Sequence, residues 1–202
     1  MLITRSNYER VYRVINSILL NEGANPAVAC VFFAGFGSYI LQRHFGIHAT
    51  SRGGLAAYRF EGDDLVMFGE MVDGGFTGDE DSFHCWLEAD GWAIDFMAPA
   101  FATLNPSKAI PAKMFQRPLS AMARTLDDLK RPGDFFLRSS DFSTAKHMSV
   151  LTTRQAYEDM AEIAVQWFRK DPKKMSATIA IGDQSRRVKL VPLVGEPLRG
   201  TW

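Results

Sequence analysis

The run VACVFFAGFGSYIL, residues 28–41, constrains this chain more than any other feature. Asn25-Pro26 just ahead of it gives a cap residue and a proline suited to a first helical position. Gly46, after Gln42, Arg43 and His44, is a natural stop. The helix so predicted is apolar on every side. A surface helix carries one apolar stripe, so a helix without a polar face belongs inside a domain. Other elements must wrap around it, and 202 residues suffice for one domain, residues 1–202, to do so. The apolar stretch 27–41 is 15 residues long and contains Gly35, Gly37 and Ser38. It is too short to span a bilayer and reads as a buried helix.

The elements available for wrapping are both helical and extended. Ser6 with Glu9 forms a capping box, followed by an apolar stripe through Tyr8, Val11, Tyr12, Ile15, Ile18 and Leu19 and a stop at Gly23. Strand-like runs at 55–60 and 65–69 flank a Glu61-Gly62-Asp63 turn, and runs at 83–89 and 92–97 flank Asp90-Gly91. Residues 98–134, rich in proline, read as irregular with a helix over 120–129. A strand follows at 135–138. A long helix is expected over 153–170, capped by Thr152 with Gln155 as its N3 partner. Strands at 177–181 and 187–193 meet around Gly182-Asp183. This order lacks strict strand–helix alternation, which predicts an α+β fold with an antiparallel sheet.

The hairpin at Asp90-Gly91 carries the chemistry. With those residues as a two-residue loop, paired positions sum to 181, and Asp95 falls opposite Trp86. Side chains alternate along a strand, so His84, Trp86 and Glu88 share a face with Ala93, Asp95 and Met97, and Cys85 points the other way. His84 and Asp95 are diagonal neighbours at roughly 7–8 Å between Cα atoms, within reach of each other. A carboxylate there is expected to accept the Nδ1 proton of the imidazole and leave Nε2 as a base. The bland alternative is a hairpin that bears a His and an Asp by chance.

A His–Asp pair serves a nucleophile. Cys85 is adjacent in sequence but faces away and reads as a small buried hydrophobe. Cys30 lies in the early part of the buried helix. There the dipole and free backbone N–H groups favour a thiolate and could hold an oxyanion. That effect requires the regular helix to begin near Ala29 rather than at Pro26. The His84 face of the hairpin is then expected to point at the head of that helix. Taken alone, Cys30 is also a common core residue type.

Cys30, then His84-Cys85-Trp86-Leu87-Glu88, then Trp92-Ala93-Ile94-Asp95 resembles the cysteine-proteinase-like (papain/transglutaminase-like) fold in its transglutaminase-like branch. In that branch a Cys at the head of a buried helix precedes a His strand of H-x-W-x-E pattern and an Asp strand of W-x-x-D pattern. The segment FGIHATSRGGLAAY, 45–58, is similar to the turn and strand between them. The resemblance covers about residues 24–100. The chain also looks like a small group of uncharacterised bacterial proteins assigned to this fold. The resemblance implies Cys30 as nucleophile, His84 as general base and acid, and Asp95 as orienting carboxylate. It implies a buried N-terminal helix on an antiparallel sheet. Ala29 stands where many relatives carry Gly before the Cys. No Gln supplies an oxyanion donor, leaving Asn25 as the candidate.

These residues lead to a cysteine-dependent acyl-transfer enzyme (amide hydrolase, peptidase or acyltransferase) acting on a peptide or small amide or ester. The alternatives are a non-catalytic binding protein of the same fold and a domain that recognises peptides along a sheet edge. Acids and bases balance at 23 each, so net charge points to neither nucleic acid nor an anionic membrane. No secretory signal is visible, and two Cys form no disulfide framework, which favours a reducing, cytoplasmic compartment. His44 and His48 flank Gly46 and fit no metal pattern, and nothing resembles a nucleotide-binding loop, so no metal or cofactor is expected. The acidic, Gly-rich stretch 70–82 lacks EF-hand spacing and reads as a mobile loop before the His84 strand, a candidate lid.

Overall fold

The computed structural model describes residues 1–61, 64–78, 82–104, 110–182, 185 and 187–202. The turn expected at Gly62-Asp63, the Asp183 turn and part of the acidic stretch lie outside the described residues.

Helix α1 (Arg5–Asn21) opens the chain. Its cap is Thr4, whose side chain accepts from the Asn7 N–H, two residues earlier than the Ser6 box predicted. Residues Pro26–Val28 form a single 3-10 turn capped by the Asn25 side chain. The regular helix α2 (Cys30–Phe45) starts only after it, with Ala29 as its cap. Gly46 closes α2 in the left-handed region, at φ 69°.

Strands β1 (Thr50–Arg59), β2 (Leu65–Phe68), β5 (His84–Ala89), β6 (Trp92–Asp95), β7 (Phe115–Pro118) and β8 (Phe135–Ser139) make one six-stranded sheet whose strand pairs are antiparallel among the described residues. Between β2 and β5, β3 (Glu70–Val72) and β4 (Gly75–Thr77) form a separate hairpin. The expected loop is therefore a strand pair over its described part, because Asp73 and Gly74 both take positive φ and close a tight turn. Gly54 pairs with both His84 and Ser139, and Ala56 to Tyr58 pair with both β2 and β8. Thus β5 and β2 follow one another along the same edge of β1, with β8 on the other edge. Phe68, the last residue of β2, and His84, the first of β5, meet at the notch between them.

The region 98–134 holds more sheet than its prolines suggested. Strand β7 pairs with β6 there, and only short 3-10 turns at Leu119–Ala121 and Leu126–Asp128 stand where a helix over 120–129 was expected. The long helix expected over 153–170 is two helices, α3 (Asp141–Thr152) and α4 (Gln155–Trp167). Thr152 ends α3 rather than capping α4. Helix α3 buries no residue, so it carried no apolar stripe to read. Strands β9 (Thr178–Gly182) and β10 (Val188–Pro192) form the final hairpin. It leads into a stretch tied to α1 through Ser17 and Val194.

Helix α2 is clamped on two sides, which explains its lack of a polar face. A Cβ on Gly35 would collide with the Tyr157 hydroxyl of α4. A Cβ on Gly37 would come within 2.6 Å of Phe96 Cδ2 and 3.3 Å of Leu87 Cδ1. Glycine at these two positions lets the helix backbone approach both neighbours. Phe33, Phe36, Ile40 and Leu41 of α2 are fully buried, each contributing about 1.5–3 kcal/mol relative to an exposed side chain.

Candidate active site

Asp90 and Gly91 both take positive φ, as a two-residue hairpin loop of this hand requires. Ala89 pairs with Trp92, Glu88 with Ala93 and Leu87 with Ile94, the register that sums to 181. Trp86 Nε1 donates to Glu88 Oε1 at 3.0 Å, which places both on one face.

That register brings His84 and Asp95 together. The His84 Nε2–H donates to Asp95 Oδ2 at 2.7 Å, and both residues are buried. The nitrogen differs from expectation, which had the carboxylate on Nδ1. The pair is diagonal, so the gap is longer than between directly opposed residues, and the nitrogen farther from Cβ spans it. Nδ1 stays free: among the described residues it has no hydrogen-bond partner.

Asp95 is held from several directions. The Tyr58 hydroxyl donates to Oδ2 at 3.0 Å, and the Met97 N–H donates to Oδ1 at 2.9 Å. The Tyr8 hydroxyl of α1 donates to the Asp95 backbone oxygen. Burial, then the Asp95 charge, push the Tyr58 and Tyr8 hydroxyls well above their ordinary range, so both stay protonated donors. Phe68 stacks on the His84 ring with centroids 4.1 Å apart, and Tyr58 and Phe101 meet it edge-on. These neighbours were not singled out from sequence. Tyr58 had a readable signal: it shares a parity with Gly54, which pairs with His84.

Burial alone would lower the His84 pKa. The Asp95 charge and hydrogen bond, followed by the nearby Cys30 thiol, outweigh it and raise the value from 6.5 to about 9. Cys30 therefore lies against the imidazole. With Nε2 taken by Asp95, Nδ1 is the nitrogen left for the thiol.

Cys30 is the first residue of α2. The N–H groups of the first helical residues have no acceptor within their own helix, and here no side chain caps them. Phe32 and Phe33 donate to Ala29 O at 3.0 and 3.2 Å, and among the described residues the Cys30 and Val31 N–H groups have no acceptor. Asn25, the candidate oxyanion donor, uses its side-chain oxygen to accept from the Ala27 N–H at 3.1 Å. A cleft of about 420 Å³ lined by apolar side chains reaches Cys30 at the notch between β2 and β5.

Cys85 sits on the opposite face of β5 from His84. Leu87, which shares that face, is the residue that approaches Gly37, so the body of α2 covers the Cys85 side. The His84 face was expected to point at the head of α2; the body of α2 packs on the other face, and its head reaches His84 at the end of the strand. Burial, then the charges of Cys30 and Asp95, push the Cys85 thiol well above its ordinary range and keep it protonated.

The remaining candidates do other work. His44 Nε2 hydrogen-bonds Val165 O at 2.9 Å, and among the described residues no group of three His, Cys, Asp or Glu could hold a metal ion. No described helix is long and apolar enough to cross a membrane.

Comparison with known proteins gives a family and a fold. The comparison with curated proteins gives no match. Among solved structures, the crystal structure of genomics APC5867 is similar at 48% sequence identity and a TM-score of 0.92, covering 100% of this chain and 98% of that one. The family described as "Protein of unknown function (DUF2026)" matches residues 4–202. The helices, the antiparallel sheet and the His84–Asp95 pair are thus the α+β architecture of a chain that belongs to the DUF2026 family.

Proposed function

We propose that this protein is a cysteine-dependent acyl-transfer enzyme of the cysteine-proteinase-like fold, in its transglutaminase-like branch. One observation carries the reading. A fully buried imidazole gives Nε2–H to Asp95 and holds Nδ1, which has no hydrogen-bond partner among the described residues, beside a thiol at a helix head. Leaving a buried ring nitrogen unpaired costs about 1–3 kcal/mol, and a proton-transfer role accounts for it. The order of a Cys at a helix head and His and Asp on adjacent antiparallel strands supports the fold assignment.

In this reading His84 Nδ1 already carries the Cys30 proton as an imidazolium, and the thiolate attacks the carbonyl carbon of an amide or ester. The oxyanion that forms faces the Cys30 and Val31 N–H groups. His84 returns the proton to the departing amine or alcohol, leaving a thioester on Cys30. Water or an amine then attacks the thioester as Nδ1 takes its proton. Asp95 stabilises the imidazolium throughout.

Labelling with iodoacetamide at neutral pH tests this. The native protein and Cys85→Ala are expected to react at similar rates, Cys30→Ala not at all, and His84→Ala at least about tenfold more slowly. Loss of labelling in Cys85→Ala instead assigns the wrong nucleophile. A second reading, a non-catalytic binding protein, is favoured by the closure of the site: Cys30 is 7% and His84 0% exposed. It predicts a Cys30 that alkylates more slowly than a free thiol.

A further inference from the structure

The cleft at Cys30 has a character of its own. Its described wall consists of Val28 on the approach to α2, residues 65–68 of β2, Phe83 ahead of β5, and Met97 and Leu104 beyond β6. Around the thiol, no described residue of that wall carries a charge. Val28 is 70% exposed and marks the rim, whereas Val66 and Met97 are buried and mark the floor. The His84 ring lies behind Phe68, so what enters meets an aliphatic and aromatic surface before it meets the thiol. The volume of about 420 Å³ falls within the range of small-ligand pockets.

Such a wall discriminates by hydration. A carboxylate or ammonium entering it would shed water and meet no charged side chain among the described residues of the wall. An apolar group gains about fourfold in affinity per methylene buried. Resting on the acyl-transfer reading, we infer that the group transferred is an uncharged, apolar acyl group, aliphatic or aromatic, seated against β2 with its carbonyl carbon at Cys30 Sγ. The thiolate forms the new C–S bond as the C–N or C–O bond of the amide or ester breaks. The leaving amine or alcohol carries off the proton from His84. Water or a second amine later regenerates the thiol. The polar half of the substrate is the leaving group, which stays outside the cleft.

p-Nitrophenyl esters separate the acyl side from a constant leaving group. The native protein is mixed with the acetate, the hexanoate and the mono-glutarate. The rate of the nitrophenolate burst and the acyl mass on Cys30 are read. The hexanoate is expected to acylate at least about 30-fold faster than the acetate, given four further methylenes. It is expected to exceed the glutarate, a chain of similar length ending in a carboxylate, by at least about 30-fold. Val28→Lys changes an exposed rim residue without disturbing the core. It is expected to shift the glutarate-to-hexanoate ratio upward by at least about fivefold. Equal rates across the three esters, or preference for the glutarate, overturn the inference while leaving Cys30 as nucleophile. If no ester acylates Cys30, the acyl-transfer reading fails. Calorimetric titration of Cys30→Ala with hexanamide and with glutaramate then decides the ligand class separately. Binding of hexanamide alone upholds an apolar ligand; binding of glutaramate, or of neither, refutes it.

Discussion

Asp95→Asn removes one charge and keeps the shape. In the folded protein the His84 pKa is raised from 6.5 to about 9; burial pulls it down, while Asp95 and then Cys30 pull it further up. A proton held more tightly in the folded than in the unfolded state stabilises the fold when bound. The contribution is complete below pH 6.5 and is lost as pH rises through about 9. The gap of 9 − 6.5 = 2.5 pH units between those values corresponds to about 3 kcal/mol. Asparagine takes away the largest lifting cause. Burial then dominates, the His84 pKa falls below its ordinary value, and the dependence reverses, with stability lost towards acid pH. Breaking a buried ion pair costs about 3–5 kcal/mol, so the variant should be less stable by that order at pH 6. Urea unfolding at pH 6, 7.5 and 9.5 measures both effects. The gap between native and variant should shrink by about 3 kcal/mol between the first and last of these. A gap that stays constant with pH refutes the assignment of the raised pKa to Asp95.

Tyr58→Phe deletes the hydroxyl that donates to Asp95 Oδ2 at 3.0 Å but leaves the ring against His84. Losing one hydrogen bond to a charged group should cost about 1.5–3 kcal/mol in urea unfolding, with the fold retained. Gly37→Ala puts a methyl within 2.6 Å of Phe96, on the side of α2 that packs against the sheet. Thermal unfolding should show a loss of about 1–3 kcal/mol, the usual cost of overpacking.

Much of the site was legible because a hairpin obeys strict rules. Asp90-Gly91 fixes a two-residue loop, the loop fixes the register, and the register sets His84 and Asp95 diagonal on one face. The all-apolar character of α2 likewise announced its burial, and its late start at Cys30 follows from the 3-10 turn that Asn25 and Pro26 nucleate. What was not legible depends on long-range contact. Which ring nitrogen meets Asp95 depends on the reach across a diagonal pair. Which face of β5 carries α2 depends on the close approach at Gly37, and both faces of the strand are apolar enough to accept a helix. Helix α3 buries nothing, so no periodicity marks it. Strand β7 hides among prolines because it ends on one, Pro118, at the edge of the sheet.

The central claim is that Cys30 and His84 act as one unit through Nδ1. ¹⁵N NMR of the His84 imidazole, titrated in the native protein and in Cys30→Ala, tests it most directly. The native ring should titrate near pH 9, and removing the thiol should lower that value, since Cys30 helps to hold the proton on the ring. The same titration midpoint in both proteins would contradict the pairing and leave Cys30 a core residue.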